Sequence, residues 1–145
     1  MFRKANSDDC MQIFKLMCDM ENRELPFDRF QKIYSDQLQN SNYYCLVECH
    51  DKRVIGALNL RFEEQLHHAE RIAEIMELVV DSSCRSQGIG KNMLEQACQI
   101  AKSYGCSQIE VASNQIRKSA HRFYLRGGFV NSHFKFYKPL SNQNV

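Results

Sequence analysis

The stretch Arg85-Ser86-Gln87-Gly88-Ile89-Gly90-Lys91 is where the chain passes from a strand pattern to a helix pattern, and its reading decides the fold. Upstream, Ile75-Met76-Glu77-Leu78-Val79-Val80 is apolar and partly β-branched, as a strand requires. Downstream, Ile89, Met93, Leu94, Ala97, Cys98 and Ala101 recur at helical spacing. The two glycines therefore stand at a helix N-terminus. Unpaired backbone N–H groups and the positive end of the helix dipole favour an anion there, and glycine lets phosphate oxygens come close. Arg85 and Lys91 add positive charge. Glycine at such a turn can also serve backbone geometry alone, so a phosphate cradle needs support from elsewhere in the chain.

Two common phosphate loops fit these residues poorly. A P-loop needs four residues between its glycines and a Ser or Thr after Gly-Lys, whereas Gly90-Lys91 is followed by Asn92 and preceded by Gly88. A dinucleotide fingerprint needs a third small residue where Met93 stands, although Glu110 falls near the acidic position of that pattern.

With 145 residues, 43% of them hydrophobic and 25% charged, the chain is long and apolar enough for one globular domain with a core. A net charge of +2 with no basic run argues against nucleic acid. Met1-Phe2-Arg3-Lys4 passes directly into polar Asn6-Ser7-Asp8-Asp9, and no apolar run reaches membrane length, which points to the cytoplasm and away from membranes. Seven cysteines form an odd set without a Cys-x-x-Cys pair, so they read as reduced, packed thiols. Cys45 and Cys49, about 13 Å apart along a strand, do not share a metal. Cys84 stands beside the phosphate loop and is the one candidate for a reactive thiol.

A short strand is expected over 2–5, then a helix capped by Ser7 that buries Cys10, Ile13, Phe14, Met17 and Met20. Pro26 opens a second helix carrying Phe30, Ile33, Tyr34 and Leu38. Strands follow over 43–50, 54–62 and 71–80, the first two joined across Asp51-Lys52-Arg53. The loop 63–70 holds His67-His68, whose side chains in extended backbone point to opposite faces, so no metal site is assigned. A strand over 108–112, a helix over 119–126 stopped by Gly127-Gly128, and a strand over 129–137 complete one domain spanning 1–140, with a polar tail from 141 to 145.

Three features of the second half occur together: the strand ending at Val80, the loop Arg-x-x-Gly-x-Gly, and Asn114 followed by Ala120-His121-Arg122-Phe123-Tyr124 and Gly128-Phe129. In this order they resemble the GNAT-type N-acetyltransferases. The resemblance implies an α+β fold: a mixed, mostly antiparallel central sheet, helices on both faces, and a splayed strand pair at the cofactor site. It also implies acetyl-coenzyme A as acetyl donor and a small-molecule amine as partner. Leu66-His67-His68, Glu74-Ile75-Met76-Glu77, Ala120 to Arg126 and Ser132-His133-Phe134-Lys135-Phe136 are similar to stretches of the bacterial aminoalkylphosphonate N-acetyltransferases.

Acetyl transfer needs a free amine, and an alkylamine of pKa near 10.4 must lose a proton against about 3.4 pK units, or roughly 4.6 kcal/mol, at pH 7. Glu74 and Glu77 are the candidate bases; three residues apart, they face opposite sides of a regular strand. The resemblance favours Glu74, fourteen residues before Gly88, with Glu77 second. It makes Tyr124 the partner of the departing thiolate, a transfer uphill by about 1.5 units, so the phenol acts mainly as a hydrogen-bond donor. It assigns the cofactor arm to the backbone of Leu78, Val79 and Val80, and the pyrophosphate to Arg85, Ser86, Gln87, Gly88, Ile89, Gly90 and Lys91. Asn114 would tie the cofactor arm or the substrate-side loop. A phosphonate would draw on Arg61, Arg71, Arg117, Lys135, His67 and His133, among which the sequence does not choose. A non-catalytic acetyl-coenzyme A sensor and a peptide acetyltransferase stand as alternatives, and a homodimer is left open.

Overall fold

The computed structural model describes residues 1–141. It contains β1 (Phe2–Lys4), α1 (Cys10–Glu21), α2 (Phe27–Leu38), β2 (Tyr43–His50), β3 (Arg53–Gln65), β4 (Glu70–Val80), α3 (Ile89–Ser103), β5 (Gln108–Val111) and α4 (Lys118–Arg126). Short 3-10 turns, Ser7–Asp9 and Ser82–Cys84, precede α1 and the loop before α3. The chain divides into two compact units, Met1–Val111 and Ala112–Val145.

In the first unit a five-stranded sheet runs in the order β1-β2-β3-β4-β5. The first three pairings are antiparallel and β4–β5 is parallel, the mixed sheet expected from the sequence. Asp51 and Lys52 both take positive φ, 50° and 67°, which suits a two-residue hairpin with right-handed twist. The β3–β4 hairpin is longer than its sequence pattern predicts. Glu63, Glu64 and Gln65 pair with Ile72, Arg71 and Glu70, which shrinks the expected loop 63–70 to the tip around His67 and His68. In that turn the two imidazole rings lie 4.1 Å apart, not on opposite faces, because the backbone there is no longer extended.

One sheet face packs on α1 and α2, where Ile13, Leu16, Met17 and Tyr34 meet Cys45, Val47, Ala57 and Val79. The other receives α3: Tyr104 stacks on Phe62 at 4.6 Å, and Gly56 leaves room for Met93, whose sulfur would stand 2.7 Å from a Cβ at that position. The helix starts differ from expectation: the side-chain cap belongs to the 3-10 turn Ser7–Asp9, and α1 itself begins at Cys10 with no side-chain cap on its N-cap Asp9. Asn6, not Ser7, accepts the capping hydrogen bond from the Asp8 N–H, while Asp9 accepts from the Asn6 N–H, both at 2.9 Å. Pro26 stands just before α2 rather than inside its first turn.

Two irregularities shape β4. Asn59 pairs with Glu77 and Leu60 with Ile75, leaving Met76 as a β-bulge. The parallel ladder to β5 covers only Ile72 to Ile75, while β4 continues to Val80, so the two strands part just where the bulge occurs. This is the splayed pair expected from the sequence.

In the second unit, α4 ends on Gly127 with Gly128 at a φ of 89°, as its Gly-Gly stop predicts. The strand expected over 129–137 does not form. Its alternation is present, but a strand exists only through ladder bonds to a neighbour, and 129–140 makes none among the described residues. Of the expected tail, all but Ser141 lies outside the described residues. Among the described residues no helix is long and apolar enough to cross a membrane.

Candidate active site

The loop between β4 and α3, expected from the sequence to cradle phosphate, is anchored at its start by Asp81. Its carboxylate accepts from the Ser83 N–H and Oγ at 2.9 and 2.7 Å and from Arg53 Nη2 at 2.6 Å, and these bonds, Ser83's first, lower its pKa to about 2. The Asp81 N–H donates to the Ile55 carbonyl, tying the loop to β3. Ser86 and Gly88 then take positive φ, 67° and 78°, and Gly88 becomes the N-cap of α3. Among the described residues no side chain caps this helix, which leaves the N–H groups of Ile89, Gly90 and Lys91 open to a ligand. A Cβ at Gly88 would meet nothing within 4 Å; glycine is required there for the sign of φ, not for packing. Arg85, Ser86, Gln87 and Gly88 are all exposed. A bare helix start under an exposed, left-handed turn fits a pyrophosphate, and the edge of Leu78, Val79 and Val80 left by β5 fits an extended pantetheine arm.

Within the same unit a cavity of about 380 Å³ opens between the sheet and the α1–α2 layer. Met17, Met20, Phe30 and Ile33 make its apolar wall, and Gln37, Asn59 and Glu77 stand together in it. Asn59 Nδ2 donates to Glu77 Oε2 at 3.0 Å and to Gln37 Oε1 at 2.9 Å. Burial pushes the Glu77 carboxyl above the ordinary glutamate range, against the Asn59 hydrogen bond, which lowers it; Glu21 raises it further. The two candidate glutamates do not face opposite sides. The bulge at Met76 consumes one residue of β4, so Glu74 and Glu77 share the α1–α2 face with their partners Arg61 and Asn59. They differ in company: Glu74 is paired with Arg61 at 2.8 Å, and Arg61 also holds Glu63 at 3.0 Å, whereas Glu77 lines the cavity.

In the second unit, Asn114 closes a turn before α4. Its Oδ1 accepts from the Ile116 N–H at 3.0 Å, and its carbonyl accepts from Arg117 N–H and lies 2.8 Å from His121 Nε2. Tyr124 packs against Phe123 and Phe129, and burial raises its phenol above its ordinary value. Of the expected anion ligands, Arg61 is engaged by two carboxylates and Arg71 lies over the Phe62 ring, 5.3 Å from its centre. Ser132 Oγ lies 2.6 Å from His133 Nδ1. None of the six expected anion ligands lines the cavity; its basic residues are Lys4 and Arg23. Asn59 and Gln37 were not among the sequence candidates. Asn59 had a signal, as the lone amide in the apolar run Val54 to Leu60; Gln37 sits among polar helix residues and had none.

The sequence model of the acetyltransferase (GNAT) family matches residues 10–129, a span that includes the cavity helices, the loop from Arg85 to Lys91 and Tyr124. The chain belongs to the GNAT acetyltransferase family. It is 36% identical, over 95% of its length and 90% of the relative's, to the aminoalkylphosphonate N-acetyltransferase of Salmonella typhimurium. It is 28% identical to the glucosamine 6-phosphate N-acetyltransferase of Trypanosoma brucei, over 66% of this chain and 65% of that one. Among solved structures, a protein described as a transcriptional regulator from Bacillus halodurans superposes with a TM-score of 0.90 at 25% identity, covering 97% of this chain and 99% of that one. This GNAT protein is accordingly an enzyme of the N-acetyltransferase class. The five-stranded mixed sheet with helices on both faces is the fold its sequence motifs imply.

Proposed function

We propose that this enzyme transfers the acetyl group of acetyl-coenzyme A to the primary amine of a small molecule bearing a phosphorus oxyanion, aminoalkylphosphonates first among them, with Glu77 as the base. The observation that carries this reading is the half-buried Glu77 carboxylate in a cavity of about 380 Å³. That volume is near the lower end of the roughly 300–1,000 Å³ found for small-molecule sites, which favours a compact acceptor over a peptide. Two relatives are named for acceptors that combine an amine with a phosphonate or a phosphate.

Acetyl-coenzyme A supplies an acyl group activated as a thioester. Glu77 takes a proton from the bound ammonium and frees the nitrogen lone pair; its raised pKa brings it nearer the amine and makes it a better base than an exposed carboxylate. Glu74, engaged with Arg61, serves structure. The backbone of Leu78, Val79 and Val80 pairs with the pantetheine arm, and the Leu78 N–H faces the charge that develops on the acyl oxygen. The Arg85 to Lys91 loop holds the pyrophosphate through the free N–H groups of α3. Tyr124 is a hydrogen-bond donor to the departing thiolate. Its phenol is raised above its ordinary value, so full proton transfer to a thiolate would be further uphill than between unperturbed groups.

The test is thiol release from acetyl-coenzyme A across aminoalkylphosphonates, sugar phosphates bearing an amine, polyamines and peptides. Aminoalkylphosphonates should give the highest kcat/KM, and Glu77→Gln should lower turnover about 10²- to 10⁴-fold, the usual worth of a positioned base. Release with peptides alone would overturn the acceptor class. Cofactor binding with no release from any amine would make the protein a sensor.

A further inference from the structure

We infer that Gln37 is a positioning residue that fixes the Asn59 amide, and that Asn59 both orients the Glu77 carboxylate and binds the incoming amine through its own carbonyl oxygen. The inference rests on the reading of Glu77 as the base.

The geometry leaves the amide little choice. Asn59 and Glu77 are direct cross-strand partners, brought to the same register by the bulge at Met76, so their side chains meet on one face. Asn59 Nδ2 has two N–H groups, and both are used, one on Gln37 Oε1 and one on Glu77 Oε2. An ionised carboxylate only accepts, so the amide must turn its nitrogen toward Glu77. Gln37 gives this orientation a second anchor from the last turns of α2, and thereby couples the helix that roofs the cavity to the catalytic strand. Asn59 is only 8% exposed, so an amide without these partners would carry a desolvation cost in the middle of an apolar strand. Its Oδ1 accepts no hydrogen bond among the described residues and is not sealed from solvent. An ammonium has three N–H groups. Glu77 and Asn59 Oδ1 can accept two of them, and the proton on the first passes to the carboxylate while its bonding pair stays on nitrogen as the nucleophilic lone pair.

The relay also sets the pH at which Glu77 works. A hydrogen bond donated to the charged form favours ionisation, which opposes the burial that disfavours it. The other ionisable groups around the cavity are Glu21 at the end of α1, Arg23 just after it, Tyr34 on α2, Tyr43 and Cys45 on β2, and Lys4 on β1. Burial pushes Cys45 up to about 12 and raises Tyr34 as well, so neither titrates where a carboxylate does. Glu21, the other carboxylate at the cavity, is not bonded to Asn59.

The test compares Asn59→Leu, Asn59→Asp and Gln37→Leu with Glu77→Gln, reading kcat/KM against pH, the KM for acetyl-coenzyme A, and the urea midpoint. Loss of the Asn59 donor should move the acidic limb of the profile upward by roughly one pH unit, about tenfold in kcat/KM on that limb, with the acetyl-coenzyme A KM unchanged. Asn59→Asp, nearly the same shape, should move it further through repulsion. Gln37→Leu should lower kcat/KM less, and combined with Asn59→Leu it should add nothing, since it acts through Asn59. A purely structural role would lower the urea midpoint and leave the limb in place. An unmoved limb in both Asn59 variants, with Glu77→Gln inactive, overturns the relay alone. Wild-type kcat/KM in Glu77→Gln overturns the base assignment and the relay with it.

Discussion

Glu77 is a group the fold keeps at a cost. Its carboxyl is raised by burial, so the folded state holds its proton more tightly than the unfolded chain does. The sign follows directly. Below the ordinary glutamate value of 4.5 both states are protonated and the contribution to stability is whole; as pH rises through that value and on through the folded value, it is lost. Glu77→Gln keeps an oxygen acceptor for Asn59 and removes the ionisation. The variant should therefore unfold at a higher urea concentration than wild type at pH 7, with the difference vanishing near pH 4. A lower midpoint at neutral pH would show that the charge is compensated in a way the Asn59 bond does not account for. Glu74→Gln should behave oppositely at pH 7, with a loss of about 1 kcal/mol or less, because its pair with Arg61 is only partly sheltered. The two glutamates were equally visible in the sequence. What separates them, an arginine opposite one and a cavity before the other, is set by pairing with a strand more than a dozen residues away.

At the scale of elements, the bulge at Met76 decides more than any single side chain on β4. It puts both glutamates on one face and falls where β5 leaves the sheet, opening the backbone edge assigned to the cofactor. Deleting Met76 should let β4 pair regularly with β3. Glu77 would still oppose Asn59, but the bend that accompanies a bulge would be gone. The protein should remain folded and lose acetyl-coenzyme A affinity by about tenfold or more, measurable by calorimetry; unchanged affinity would detach the bulge from the cofactor site. Most of these elements were legible beforehand. The period-2 runs, the Asp51-Lys52-Arg53 turn and the glycines at the start of α3 are local signals, and the strands and helix they indicated formed, with β3 and β4 extending into the expected loop between them. The bulge was not legible, since Met76 is an ordinary apolar residue and the register that strands it belongs to β3. The strand expected over 129–137 failed for the complementary reason: its alternation is local, and pairing is not.

For the molecule as a whole, the α1–α2 layer that roofs the cavity is fastened to the sheet by a polar clamp rather than by packing alone. Arg3 on β1 donates two bonds to Asp9 at 2.7 and 2.9 Å, Asp9 accepts from the Asn6 N–H, and Tyr34 on α2 donates to the Asn6 carbonyl at 2.6 Å. Asp9 is 3% exposed, and Arg3, then the Asn6 N–H, hold its carboxyl below the ordinary aspartate value of 3.8 against the burial that raises it. Its contribution is present above that value and lost as pH falls through the folded one, opposite in sense to Glu77. The clamp thus stabilises in the neutral range, where the buried Glu77 carboxylate weakens the fold. Asp9→Asn removes the charge that Arg3 needs and leaves that cation half-sheltered. At pH 7 it should cost about 3 kcal/mol, the low end for breaking a buried pair because Arg3 reaches solvent, and urea unfolding should show the deficit shrinking toward pH 3. Because the clamp also sets where α2 lies, the same variant should raise the KM for the amine more than the KM for acetyl-coenzyme A. Equal changes in both would mean that the roof of the cavity is held by its apolar contacts, and that Asn6, Asp9 and Arg3 matter only to β1.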